Sequence, residues 1–204
     1  MDGVKLTEME QDALRECANV GIGNAATSLS ILLKKRINIK IPEVKFIPIE
    51  KFSLEIGGPE TVVSGIYLTV QGDLQGEVIF IFPKNDALEL VCLLLGNAQT
   101  ELTPELSESG FKEMSNIVTG SYLNALANML DLKILPSIPH TATDMAGALI
   151  DFLLSKVALY SDNILAIKTE IYIDEHSITG TFIIIFSIES LNKIMDMLHD
   201  KYGV

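Results

Sequence analysis

Glu16 and Asn19 stand three residues apart, with Gly23 four further on, and Glu113, Asn116 and Gly120 repeat these types at the same spacing. A glutamate can pair with a cation of a partner. An asparagine amide donates and accepts hydrogen bonds but does not titrate, so it can orient a water and cannot serve as a general base near neutral pH. Neither pair brings metal ligands or a substrate pocket of its own. Such residues suit chemistry that rests on positioning inside another molecule's site, and phosphoryl transfer is chemistry of that kind.

Both pairs lie in stretches that read as long helices, roughly 7–35 and 104–132. Thr7 with Glu10 has the form of a capping box. Thr103 followed by Pro104 reads as an N-cap with proline at the first helical position. With 100° per residue and Leu14 set at zero, Ala18, Ala25, Leu29 and Leu32 fall between about 0° and 60° and form a core stripe. Asp12, Glu16, Asn19 and Gly23 fall on the opposite side, between about 140° and 200°. In the second helix Phe111, Val118, Tyr122 and Met129 make the core stripe, with Ser109, Glu113, Asn116 and Gly120 opposite. The Glu/Asn pairs are therefore expected to face outward. Each glycine removes bulk beside an asparagine, so that another backbone can approach. An exposed helix position usually takes Lys, Glu, Gln or Ala, so a structural role does not call for this trio.

The two helices belong to an internal repeat. Asp12–Pro42 lies over Ser109–Pro139 at an offset of 97, and eight of the 31 positions are identical, among them Glu16/Glu113, Asn19/Asn116, Gly23/Gly120 and Pro42/Pro139. Chance in a chain of ordinary composition gives about two. Core positions have drifted, as in Leu14/Phe111, Cys17/Met114 and Ala25/Tyr122, whereas the outward trio has not. Downstream the repeat resumes at an offset of 104, with Gly76–Phe82 over Gly180–Phe186. Each half continues with strand-like segments around a turn: Val62–Val70 and Glu77–Phe82, then Ile164–Ile173 and Thr179–Phe186. An amphipathic stretch follows each, at Asp86–Leu95 and Ser190–Leu198. The second half adds a helical stretch near Asp144–Leu154 where the first has Ile49–Ile56. Pro42 and Pro139 read as structural, ending a strand or fixing a turn.

These elements predict an α/β fold: one domain with pseudo-two-fold symmetry, a central β-sheet and the two long motif-bearing helices side by side. The repeats divide at about 1–98 and 99–204, with no flexible linker between them.

Composition narrows the function. Of the 204 residues 48% are hydrophobic, which supports a sizeable core, and the formal net charge of −12 excludes nucleic acid as a natural partner. No apolar run reaches the ~20 residues of a membrane span. The N-terminus lacks the basic start and apolar block of a signal peptide, so a cytoplasmic protein is expected. Cys17 and Cys92 read as small core residues. His140, His176 and His199 are scattered, and no zinc site of the chain's own is expected. There is no P-loop, GxGxxG or GxSxG motif.

The pattern Asp/Ser-x-x-x-Glu-x-x-Asn-(22 residues)-Pro occurs twice, as Asp12, Glu16, Asn19, Pro42 and as Ser109, Glu113, Asn116, Pro139. It resembles the CheC/CheX/FliY phosphatases of chemotaxis, and the two-copy arrangement is most similar to CheC. The resemblance implies a phosphatase that dephosphorylates the phosphorylated response regulator CheY. Asn19 and Asn116 would orient the attacking water, and Glu16 and Glu113 would pair with the regulator's active-site lysine. Asp12 and Ser109 would flank the contact. Mg²⁺ would be held in the regulator's own site, and the chain would need no cofactor. The resemblance also implies binding of the receptor deamidase CheD. Within Ala146–Phe152, which resembles the CheD-docking part of CheC, Asp151 is the candidate contact.

CheX carries one motif per chain and dimerises to bring two together. Here both are in one chain, and a monomer is expected. FliY has an added flagellar-switch domain, whereas this chain reaches Val204 soon after the second repeat, an expectation against that subtype. A non-catalytic adaptor that sequesters CheD is the alternative function. A purely structural flagellar role, as in FliM, fits poorly with Glu and Asn in both repeats.

Overall fold

The computed structural model describes residues 8–48, 51, 54, 57–95, 104–157, 163–173 and 176–202. The caps read at Thr7 and Thr103, most of Ile49–Ile56, the repeat boundary and the Cys17 side chain lie outside what is described. The elements run α1 (Glu8–Leu33), β1 (Ile37–Pro48), β2 (Val62–Gly72), β3 (Gly76–Pro83), α2 (Lys84–Leu94), α3 (Pro104–Leu130), β4 (Ile134–Pro136), β5 (His140–Met145), α4 (Ala146–Val157), β6 (Asn163–Ile173), β7 (His176–Phe186) and α5 (Ile188–Tyr202).

Among the described residues seven strands form a single sheet in the order β1-β6-β7-β3-β2, with β4 and β5 both on the outer edge of β2. All pairings are antiparallel. At the centre Ile79 of β3 lies opposite Ile183 of β7, its own counterpart at the offset of 104. The pseudo-two-fold axis passes through this pair. The symmetry extends to the helix ends: Lys34 after α1 (φ 52°) and Asp131 after α3 (φ 54°) both take the left-handed conformation. That conformation is uncommon outside glycine, and it closes helices by capping their last carbonyls.

Alternation along the strands splits the core in two. On one face Phe80, Phe82, Phe182 and Ile184 pack with Leu14, Ala18, Ile22 and Ala25 of α1 and with Met114, Val118 and Tyr122 of α3. On the other, Val63, Ile79, Ile81, Ile183 and Ile185 pack with Ala146, Ile150 and Leu153 of α4. Each hairpin is tied to the short helix of the opposite half. Asp86 and Glu89 of α2 hold Thr179 N–H and His176. At the equivalent positions of α5, Ser190 holds Gln75 N–H and Lys193 pairs with Asp73.

Three sequence readings need correction. The segment read as helical from Asp144 starts its helix at Ala146, because Asp144 and Met145 still pair with Val63 and Val62 as the end of β5. Leu32 is half exposed, since in the last turn of α1 it is Leu33 that packs against the core, just before the chain reverses at Lys34 into β1. Pro42 neither ends a strand nor makes a turn. It lies inside β1 at a register shift, where Ile41 and Pro42 stand against one residue of β6, between the pairs Lys40/Glu170 and Glu43/Lys168. A proline lacks the N–H that a ladder needs, and a bulge on an edge strand accommodates it. Pro139 does interrupt the matching strand, separating β4 from β5.

Candidate functional site

The site is built on α1 and α3, packed against each other over one face of the sheet. Their inward sides carry Leu14, Ala18, Ile22, Ala25 and Leu29, and Phe111, Met114, Val118, Tyr122 and Leu126, all buried. Burial of these stripes fixes the rotation of each helix about its axis and turns the opposite side outward. Glu16, Asn19, Glu113 and Asn116 are accordingly exposed, as are Asp12 and Ser109.

The glycines divide into two kinds. A Cβ added at Gly23 or at Gly120 would meet nothing within 4 Å, whereas at Gly21 it would come 2.6 Å from Tyr122 Cα. Gly21 therefore serves the helix–helix packing. Gly23 and Gly120 serve nothing inside the described fold, and open space lies beside each asparagine.

Each site has a fixed cation at its edge, which the sequence reading did not single out. Arg15 pairs with Asp12 across 3.0 Å, and Lys112, its counterpart, pairs with Glu108. The acid stands at i−3 in α1 and at i−4 in α3, so Asp12 and Ser109 are not equivalent in use. Lys112, by hydrogen bond and charge, holds the Glu108 carboxyl below the ordinary range. Helical spacing of opposite charges was the available signal. No hydrogen bond or ion pair to another described residue engages Glu16, Asn19, Glu113 or Asn116.

Several cavities open on the surface, and one of about 260 Å³ reaches Ser107, Glu108 and Phe111 of α3. Another of about 510 Å³ runs between α4 and the β2/β5 edge, lined by Tyr67, His140, Leu149 and Phe152 among others. Tyr67 stacks edge-on with Phe152 at 5.3 Å, and its phenol is pushed well above its usual range, first by burial and then by the hydrogen bond and charge of Glu77. Asp151 is exposed on α4, on the sheet face opposite α1 and α3. None of these cavities is lined by the Glu/Asn pairs. Among the described residues no group of three or more His, Cys, Asp and Glu side chains could hold a metal ion. No described helix is long and apolar enough to cross a membrane.

The sequence matches the CheC-like family over residues 9–45 and the family Chemotaxis phosphatase CheX over residues 64–150, spans that contain the first and second Glu/Asn motif respectively. It is 32% identical over 179 residues to the CheY-P phosphatase CheC of Bacillus subtilis (strain 168), covering 86% of this chain and 85% of that protein. The chain belongs to the CheC family of chemotaxis phosphatases. The fold of this CheC-type chain is that of Thermotoga maritima FliY, with a TM-score of 0.78 at 21% identity over 97% of this chain and 100% of the other. It is also that of the FliM middle domain from H. pylori, with a TM-score of 0.66 at 13% identity over 94% of this chain and 99% of the other. The fold alone thus does not separate a CheC phosphatase from FliM; the side chains on α1 and α3 must.

Proposed function

We propose that this CheC-type protein acts as a cytoplasmic monomer that hydrolyses the aspartyl phosphate of the response regulator CheY. Each helix presents its pair to the regulator's phosphorylated site. The amide oxygen of Asn19 or Asn116 accepts a hydrogen bond from a water and directs its lone pair at phosphorus. The P–O bond to the aspartyl carboxylate breaks as the water oxygen bonds, and inorganic phosphate leaves. Glu16 or Glu113 pairs with the regulator's lysine and holds the two proteins in register. Mg²⁺ in the regulator's site would neutralise charge on the phosphoryl oxygens.

The observation that carries this reading is that both Glu/Asn pairs stand exposed and unengaged by described residues on the outward sides of α1 and α3. Side chains arranged this way complete a site that another molecule brings. Phosphate release from phosphorylated CheY, measured for wild type, Asn19→Ala, Asn116→Ala and the double variant, tests it. Each single variant should keep substantial activity through its intact site. The double should fall to the regulator's own rate, a loss of ~10²-fold or more in line with other positioning residues. A double variant with wild-type turnover would remove the mechanism and favour the adaptor that binds and sequesters CheD.

CheD binding belongs to the same proposal. Asp151, exposed on α4 and across the sheet from the Glu/Asn helices, supports a docking site separate from the phosphatase face.

A further inference from the structure

We infer that Met9 and Val20 on α1, with Leu106 and Ile117 on α3, are apolar anchors that seat the regulator around each Glu/Asn pair, and that Gly23 and Gly120 keep open the space its backbone enters. The inference rests on the function proposed above and adds the residues that set affinity, as distinct from turnover.

Val20 follows Asn19 directly and stands one turn beyond Glu16; Met9 stands two turns before Glu16 on the same side. Both are exposed, at 57% for Met9 and 49% for Val20. The counterparts at the offset of 97 are Leu106, exposed at 39%, and Ile117, half-buried with part of its side chain against the core, so the α3 copy presents less apolar surface than the α1 copy. A single exposed aliphatic side chain is ordinary on any surface. Here large aliphatic residues flank the same Glu/Asn pair at the same two positions of two helices, while the core between those helices has drifted in identity.

The glycines point the same way from a separate observation. Glycine is a poor helix former, and both glycines sit mid-helix where an added Cβ would meet nothing. The chain's own packing gives no reason for the missing side chain. From Met9 to Gly23 the stripe is about 21 Å long at 1.5 Å per residue, long enough to lie across one face of a small partner domain, with the Glu/Asn pair in its middle.

Charge selects the occupant. Arg15 is already paired with Asp12 and Lys112 with Glu108, so the charges the stripe leaves unengaged by described residues are Glu16 on α1 and Glu113 on α3, with aliphatic residues around them. It therefore fits a surface with a cationic centre and an apolar rim. The lysine assigned to the regulator's site in the proposed function would supply that cation, and the anchors predict an apolar rim around it.

The test uses Asn116→Ala as the parent, so that α1 carries the activity, and adds Val20→Ser, Gly23→Ala or Ile188→Ser. Ile188 is as exposed as Val20, at 48%, but lies on α5. Binding of the beryllofluoride-activated regulator is titrated alongside phosphate release, and melting temperatures are recorded. For binding to the α3 site not to mask the result, the titration is repeated with Gly120→Ala and Ile117→Ser added to each chain. Val20→Ser should raise the half-saturating regulator concentration about tenfold, the loss expected for one buried aliphatic contact, and Gly23→Ala should raise it to a similar extent because its methyl group fills the space the partner backbone enters. Maximal turnover should change less than twofold, because binding common to ground and transition states is what is lost. Ile188→Ser should leave both unchanged, and Gly23→Ala should melt no lower than its parent. Unchanged half-saturation and binding in the Val20 and Gly23 variants would overturn the anchors even with the phosphatase reading intact. A parent that binds the activated regulator through Val20 without releasing phosphate would support the anchors and sink the proposed catalysis.

Discussion

Gly21 of α1 meets the backbone of Tyr122 in α3 so closely that a Cβ on Gly21 would lie 2.6 Å from Tyr122 Cα. The counterpart of Gly21 is Val118 and that of Tyr122 is Ala25, so at both positions α1 carries the small residue and α3 the larger one. The glycine that looks costly in a helix is thus what lets α1 approach α3. Gly21→Ala should destabilise the fold despite its better helix propensity. Overpacking of a tight contact costs about 1–3 kcal/mol, against about 1 kcal/mol regained from propensity. Gly21→Val should be worse. Urea unfolding of both variants checks the order, and a Gly21→Val chain as stable as wild type would contradict the contact.

The two glutamates should act on association. Glu16→Ala with Glu113→Ala should raise the regulator concentration needed for half-maximal phosphate release, with a smaller effect on the maximal rate. The wild-type half-saturation value should rise with ionic strength, because salt screens a charge pair at a protein–protein contact. If the double variant keeps the wild-type value and its salt dependence, the pairing role is wrong.

Asp73 gives the fold an acid-sensitive tie. Its carboxyl is held below the ordinary carboxylate range, first by the N–H of Lys133 and then, against the opposing effect of desolvation, by Lys193. A carboxyl depressed in the folded state stabilises that state above its unfolded value of about 4, and the contribution is lost as pH falls through the folded value. Asp73→Asn should therefore lower the melting temperature at pH 7 and narrow the gap from wild type below pH 4. Melting curves from pH 7 to pH 2.5 measure this; a gap that stays constant would assign the effect to the lost hydrogen bond alone.

Asp151→Lys should weaken the complex with CheD while phosphate release without CheD stays at the wild-type rate, since α4 and the Glu/Asn helices lie on opposite sheet faces. Pull-down or calorimetric titration with purified CheD measures the first part. Unchanged CheD affinity would mean that the docking segment lies elsewhere.

The sequence by itself determined which way the Glu/Asn pairs face. Their spacing from Leu14 and Phe111 is a matter of helix geometry, and the angle between two residues on one helix does not depend on the rest of the fold. The same local logic located β2, β3, β6 and β7 and the two long helices to within a few residues. It went astray where a neighbour outside the element decided the outcome. β1 continues through Pro42 because an edge strand can bulge there, and β5 holds Asp144 and Met145 because β2 offers them partners. The tertiary structure alone decided that Ile79 pairs with Ile183, that Gly21 meets Tyr122, and that the short helices clip the opposite hairpins. Each of these joins residues about a hundred positions apart. Such pairings are chosen by complementary shape and by the exclusion of apolar surface from water, and neither leaves a periodic trace in the chain.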